Sequence, residues 1–141
     1  MTLSCFPRNL VLACMVLGIT LLNPAAAIQN IGFPDDQRLV VGKADLKQFQ
    51  TAQKAMHNAL MTLVKFDGVD GKSKGRDAAL NAISTNAQII EGIAKRAGNN
   101  DVATFMATVK SWSTSGDADD RPPKLVKQIE DGLLGLKVIT K

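Results

Sequence analysis

A lone histidine, several acidic clusters and a Gly-Lys-Ser triplet are the features whose residue types and spacing could do chemistry. His57 is the only histidine of the chain, and it follows Met56, with Met61 and Met106 elsewhere in the apolar set. A His/Met pair across a helical bundle can ligate haem, so a haem carrier is one reading. No C-x-x-C-H run is present to attach haem covalently. Zinc sites and hydrolytic triads both need partner groups that a single histidine does not bring. The simpler expectation is a partly exposed histidine on a helix.

Gly71-Lys72-Ser73 has the ending of a phosphate-binding loop. That loop needs another glycine five positions before Gly71, so that backbone amides can wrap the phosphates. Phe66 stands there, and the segment joins two helical patterns instead of a strand and a helix. It reads as a turn. Asp67, Asp70 and Asp77 suggest a calcium loop, but an EF-hand wants oxygen ligands at positions 3, 5 and 12. Counted from Asp67, those positions hold Val69, Gly71 and Ala78. Aspartates cap turns and helix starts without any ion, and Asp117, Asp119 and Asp120 are read the same way. No metal and no cofactor are expected. Serine and threonine are plentiful, but no motif singles out a nucleophile and no paired carboxylates occupy a recognisable frame, so the chain reads as non-enzymatic.

Cations offer the remaining chemistry. Lys72, Lys74 and Arg76 surround one turn, and Lys124, Lys127, Lys137 and Lys141 decorate the expected last helix. Such groups meet anionic lipid, polysaccharide or an acidic protein face, when they are more than a solvated surface. Lys72, Lys74, Arg76, Lys124 and Lys127 are the candidate binding residues.

The first segment looks like an address. Arg8 is the one charge before Leu10, and residues 10–22 form an uncharged apolar run of thirteen residues, followed by Pro24 and Ala25-Ala26-Ala27. A positive start, a short apolar core and an A-x-A site make a secretory signal peptide, and the run is too short for a membrane span. Cleavage after Ala27 is expected. It removes both cysteines, Cys5 and Cys14, and takes the net charge from +4 to +3, leaving 114 of the 141 residues. That charge is too weak to suggest nucleic acid. The destination is secretion, the periplasm or a thylakoid lumen.

Residues 28–42 carry no helical period and read as an extended arm, with Leu39, Val40 and Val41 packing on the body. From Lys43 to Phe66, the residues Leu46, Phe49, Gln53, Met56, Leu60 and Leu63 fall at steps of three and four, which makes one face of a helix. Only Gln53 breaks this stripe, and Lys47, Lys54 and Lys65 lie off it. A second helix is expected over residues 76–97 through Leu80, Ile83, Ala87, Ile90 and Ala94, with Gly98 ending it. Asn99 or Asn100 caps a third, whose apolar face is Val102, Phe105, Met106, Val109 and Trp112, before a polar loop over 113–121. Pro122-Pro123 opens a fourth, with Leu125, Val126, Ile129, Leu133 and Leu136 turned inward. Gly132 and Gly135 within it mean either close helix approach or a helix that breaks there.

The fold class expected is all-α, a small antiparallel bundle of about four helices over residues 43–141, behind a cleaved signal peptide and an arm. The shape is similar to small extrinsic subunits such as the four-helix Q-type extrinsic proteins of photosystem II; the likeness is architectural and rests on no motif. The expected function is an exported, non-enzymatic binding or accessory protein, docking through a helical surface on a protein partner or membrane-bound complex. No transmembrane span is expected in the mature chain. The alternatives are a carrier of haem or lipid in the bundle core, or a secreted effector or inhibitor of an extracellular enzyme. Only 4% of the residues are aromatic, which argues against a stacking platform for bases or sugars.

Overall fold

The computed structural model describes residues 37–66, 74–115 and 123–141, without the side chains of 123–125. The expected signal peptide (1–27) and the arm up to residue 36 lie outside these, as do the connecting segments 67–73 and 116–122. The element order is β1 (Arg38–Val41), α1 (Lys43–Lys65), α2 (Lys74–Arg96), α3 (Asn100–Thr114), α4 (Pro123–Gly135) and β2 (Lys137–Thr140). Four helices hold 81% of the described residues, so the class is an all-α bundle with a two-stranded sheet appended.

Helix α1 buries Phe49, Ala52, Met56, Ala59, Leu60 and Leu63, the face marked by the three-four spacing. Asp45 in its first turn and Lys65 in its last oppose the partial charges of the helix ends. Helix α2 buries Ala79, Ile83, Ala87, Ile90, Ile93 and Ala94, alternating small and branched side chains. It packs on α1 and on α3, the two most extensive interfaces of the bundle. At the far end of α1, the ring of Phe66 lies 2.9 Å from where a Cβ on Gly75 would stand. Glycine there lets the first turn of α2 approach the ring.

The corner between α2 and α3 is set by two residues. Gly98 adopts φ +74°, the left-handed conformation that glycine reaches without a Cβ clash. The N–H of Gly98 donates to the Lys95 carbonyl at 3.1 Å and that of Asn99 to the Ala94 carbonyl at 2.9 Å, closing the end of α2. Asn99 also starts α3, its Oδ1 accepting from the Val102 N–H at 3.0 Å.

Two expectations need correction. The polar loop expected from Ser113 starts later: α3 continues to Thr114, and the Ser113 and Thr114 hydroxyls stay within the helix, donating to the Lys110 carbonyl at 2.8 and 3.1 Å. The last helix also stops short of the chain's final residues. It ends at Gly135, where a Cβ would meet nothing, so this glycine serves as a terminator and not as a point of close approach. Lys137-Val138-Ile139-Thr140, rich in β-branched residues, then pairs as β2 with β1 in parallel, Val40 beside Ile139. Lys137 therefore sits on a strand and Lys141 just after it, not on a helix.

Leu39 and Val41 on the inner face of β1 join Val126, Ile129, Leu133 and Leu136 of the C-terminal part in the same core as the three longer helices. Among the described residues no helix is long and apolar enough to cross a membrane.

Candidate functional site

The candidate cations are placed apart or left outside. Lys72 lies beyond the described residues, and the side chain of Lys124, in the first turn of α4, does too. Lys74 is exposed at the start of α2, and Arg76, two residues on, is half-buried. Lys127 is exposed and sits 3.1 Å from Asp131, one turn on along α4. Exposed pairs of this kind contribute about 0.3–0.5 kcal/mol and leave the lysine accessible.

The solvent face of α1 carries a feature that hydrophobic periodicity cannot register. Lys47, Gln50, Thr51, Lys54, Ala55 and Asn58 line a shallow open groove of about 430 Å³. They recur at the same three-four spacing as the core stripe, on the other side of the helix. Lys47 and Lys54 are both exposed, and neither forms an ion pair among the described residues. They stand seven residues apart, two helical turns, or about 10 Å along the axis. Thr51 is engaged locally, its hydroxyl donating to the Lys47 carbonyl at 3.0 Å.

Where α1 meets α4, two polar contacts share one seam. Gln53 Nε2 donates to the Leu133 carbonyl at 2.8 Å. One turn on, His57 Nδ1 lies 2.7 Å from Glu130 Oε1, with the histidine side chain 43% exposed and the glutamate 19%. The separation is that of a hydrogen bond, but the geometry is not: Nδ1 is buried and makes no well-directed bond. We read the contact as a close ion-pair distance that becomes a charged pair when the imidazole is protonated. A histidine held by a carboxylate is the orienting half of a catalytic dyad, but a dyad acts only on a nucleophile within reach. The neighbours of His57 on its own helix face are Gln53, Lys54, Leu60 and Met61, none of which carries a hydroxyl or thiol for the imidazole to activate. Among the described residues no three His, Cys, Asp or Glu side chains gather to hold a metal.

At the other end of α1, Asp45 and Arg96 form a two-pronged pair. Arg96 donates from one terminal nitrogen to Asp45 Oδ1 at 2.8 Å and from Nε to Oδ2 at 3.4 Å. The hydrogen bond from Arg96 holds the Asp45 carboxyl below the usual carboxylate range, and the same bond raises Arg96. Its role is to join the first turn of α1 to the last turn of α2.

Lys47 and Lys54 lie off the apolar stripe, where spacing alone gives them no role. The α1–α4 seam leaves no mark in local spacing, because its partners are distant in the chain. No known protein family, curated protein or solved structure matches the chain.

Proposed function

We propose that this chain is an exported, non-enzymatic accessory protein that binds a protein partner, a subunit of a membrane-bound complex, through a helical surface. The observation that carries this reading is the solvent face of α1. There Lys47 and Lys54 flank an open groove with Gln50, Thr51 and Asn58, on a helix whose opposite face is locked into the core. Two cations held two turns apart on a rigid helix suit an acidic patch on a partner, giving register and fast association more than raw affinity. Lys72, Lys74, Arg76, Lys124 and Lys127 are the second set of cations in this proposal. Export is supported by Arg8, the apolar run over 10–22, Pro24 and the Ala25-Ala26-Ala27 site. An antiparallel course for α1 and α2 is supported by the Asp45–Arg96 pair at one end and the Phe66–Gly75 contact at the other.

The test is crosslinked affinity purification from the native cell envelope, comparing the wild type with the double variant Lys47→Glu, Lys54→Glu. The expected result is a membrane complex retained by the wild type, released by high salt and lost in the variant, because surface attraction is screened within about 10 Å at 0.1 M salt. A wild-type chain recovered as a monomer without a partner overturns the reading.

A further inference from the structure

Parallel strands are normally covered and flanked, yet β1 and β2 make a sheet of only two. The Lys137 N–H donates to the Gln37 carbonyl at 3.2 Å and the Lys141 N–H to the Val41 carbonyl at 3.1 Å. Residues 137, 139 and 141 therefore turn their backbone toward β1. With the two-residue period of a strand, the N–H and C=O of Val138 and Thr140 face the other way. Among the described residues no backbone group meets them. The outer edge of β1 is partly closed, since the Arg38 carbonyl accepts from Asn99 Nδ2 at 3.3 Å. The open edge belongs to β2.

Side chains beside that edge carry a pattern. Arg38, Val40, Lys137 and Ile139 form the exposed face of the sheet, with Val40 41% and Ile139 45% exposed and adjacent in register. Lys141 follows at the same two-residue spacing, and neither strand contains an acid.

We propose that the open edge of β2 accepts an extended segment of a partner protein as a third strand, one whose side chains along one face run carboxylate, apolar, carboxylate at two-residue spacing. Unpaired edge groups recognise extended backbone, and alternate side chains supply the specificity. Lys137, Ile139 and Lys141 run cation, apolar, cation along one face. An added strand with acid, apolar, acid at the same spacing sets opposite charges side by side and covers Ile139. A second copy of β2 is a poor occupant: antiparallel pairing centred on Ile139 opposes Lys137 to the other copy's Lys141, and like charges opposite one another destabilise a pair. This surface does not depend on the α1 face proposed above.

The experiment titrates the isotope-labelled protein with a short synthetic peptide of sequence Glu-Thr-Val-Thr-Glu, which sets glutamate, valine, glutamate along one face of a strand, following backbone amide signals and amide exchange. Saturable shifts and slowed exchange at Val138 and Thr140 are expected. A lysine-for-glutamate peptide should bind more weakly. A peptide N-methylated on every second residue, along the edge that must bond, should not bind, and this control leaves the protein untouched. Thr140→Pro removes an outward N–H without touching the β1 ladder, a place where an edge strand tolerates proline. It should weaken binding about fivefold, the worth of one neutral hydrogen bond. Four results overturn the proposal: no saturable response at Val138 and Thr140; equal binding by the lysine or N-methylated peptides; the same shifts produced by phosphatidylglycerol vesicles and not by peptide; or the same shifts arising from concentration-dependent dimerisation.

Discussion

Gln53 on α1 reaches across to the last helix and donates from Nε2 to the carbonyl oxygen of Leu133 at 2.8 Å. Leu133 lies in the final turn of α4, where carbonyls have no intrahelical partner. The single polar residue in an otherwise apolar stripe therefore closes the end of a helix 80 residues away in the chain. α4 has few other ties to the bundle, and its main helical neighbour is α1. Gln53→Leu completes the stripe in apolar terms but strands a half-buried acceptor. It should lower stability by about 1 kcal/mol, visible as a shifted urea midpoint, with faster amide exchange confined to α4 and β2. A midpoint equal to or above wild type would show that water satisfies Leu133 at no cost.

The centre of the bundle makes a larger claim. Ile83 and Ile90 of α2 are fully buried, about two helical turns apart, on the helix that packs against both α1 and α3. Ile90→Ala should cost about 2–5 kcal/mol, the transfer loss plus the cavity left behind. Leu134, 63% exposed on α4, is the control. Leu134→Ala should stay within about 0.5 kcal/mol in the same denaturant series.

Much of this core was readable because helical burial is a local rhythm. Phe49, Met56, Leu60 and Leu63 announce a face by spacing alone, and Asn99 and Pro123 announce helix starts by their side-chain chemistry. What spacing cannot carry is a partner far off in the chain. The strand Lys137–Thr140 has no apolar alternation of its own, and it becomes a strand by pairing with Arg38–Val41 at the opposite end of the described chain. The Gln53–Leu133 and His57–Glu130 contacts were hidden for the same reason. The groove on α1 was half visible, since Lys47 and Lys54 stand off the stripe, but hydrophobic periodicity marks the buried face of a helix and is silent about its polar side.

The Asp45–Arg96 pair fixes the sign of one pH effect. Asp45 is held below its ordinary range in the folded protein by the Arg96 hydrogen bond. In the unfolded chain it titrates near the usual value of about 3.9. The unfolded state thus binds the proton first as pH falls, and the pair's contribution is fully present above about pH 4 and lost as pH drops through the folded-state value. Thermal melts of wild type and Asp45→Asn should differ at neutral pH and converge under acid. A gap that widens as pH falls would mean that Arg96 does not lower Asp45.

Asn99 both caps a helix and tethers a strand, and its two functions can be separated. Its Oδ1 caps α3 by accepting from the Val102 N–H at 3.0 Å. Its Nδ2 donates to Gln37 Oε1 at 2.7 Å and to the Arg38 carbonyl at 3.3 Å, tethering β1 to the helix corner. Asn99→Ser keeps a capping oxygen and removes the tether; Asn99→Ala removes both. The alanine variant should be less stable than the serine variant by about 1 kcal/mol, the usual worth of a helix cap. Amide exchange at Leu39 and Val41 should quicken alike in both, because β1 loses the same anchor in each. Gly98→Ala tests the same corner through the backbone. Placing a Cβ at φ +74° should cost about 1–2 kcal/mol, even though a Cβ there would touch nothing within 4 Å. Strain and contact are thus separated at one site: a neutral Gly98→Ala would show that the turn relaxes out of the left-handed region, and the Asn99 cap would then be expected to weaken with it.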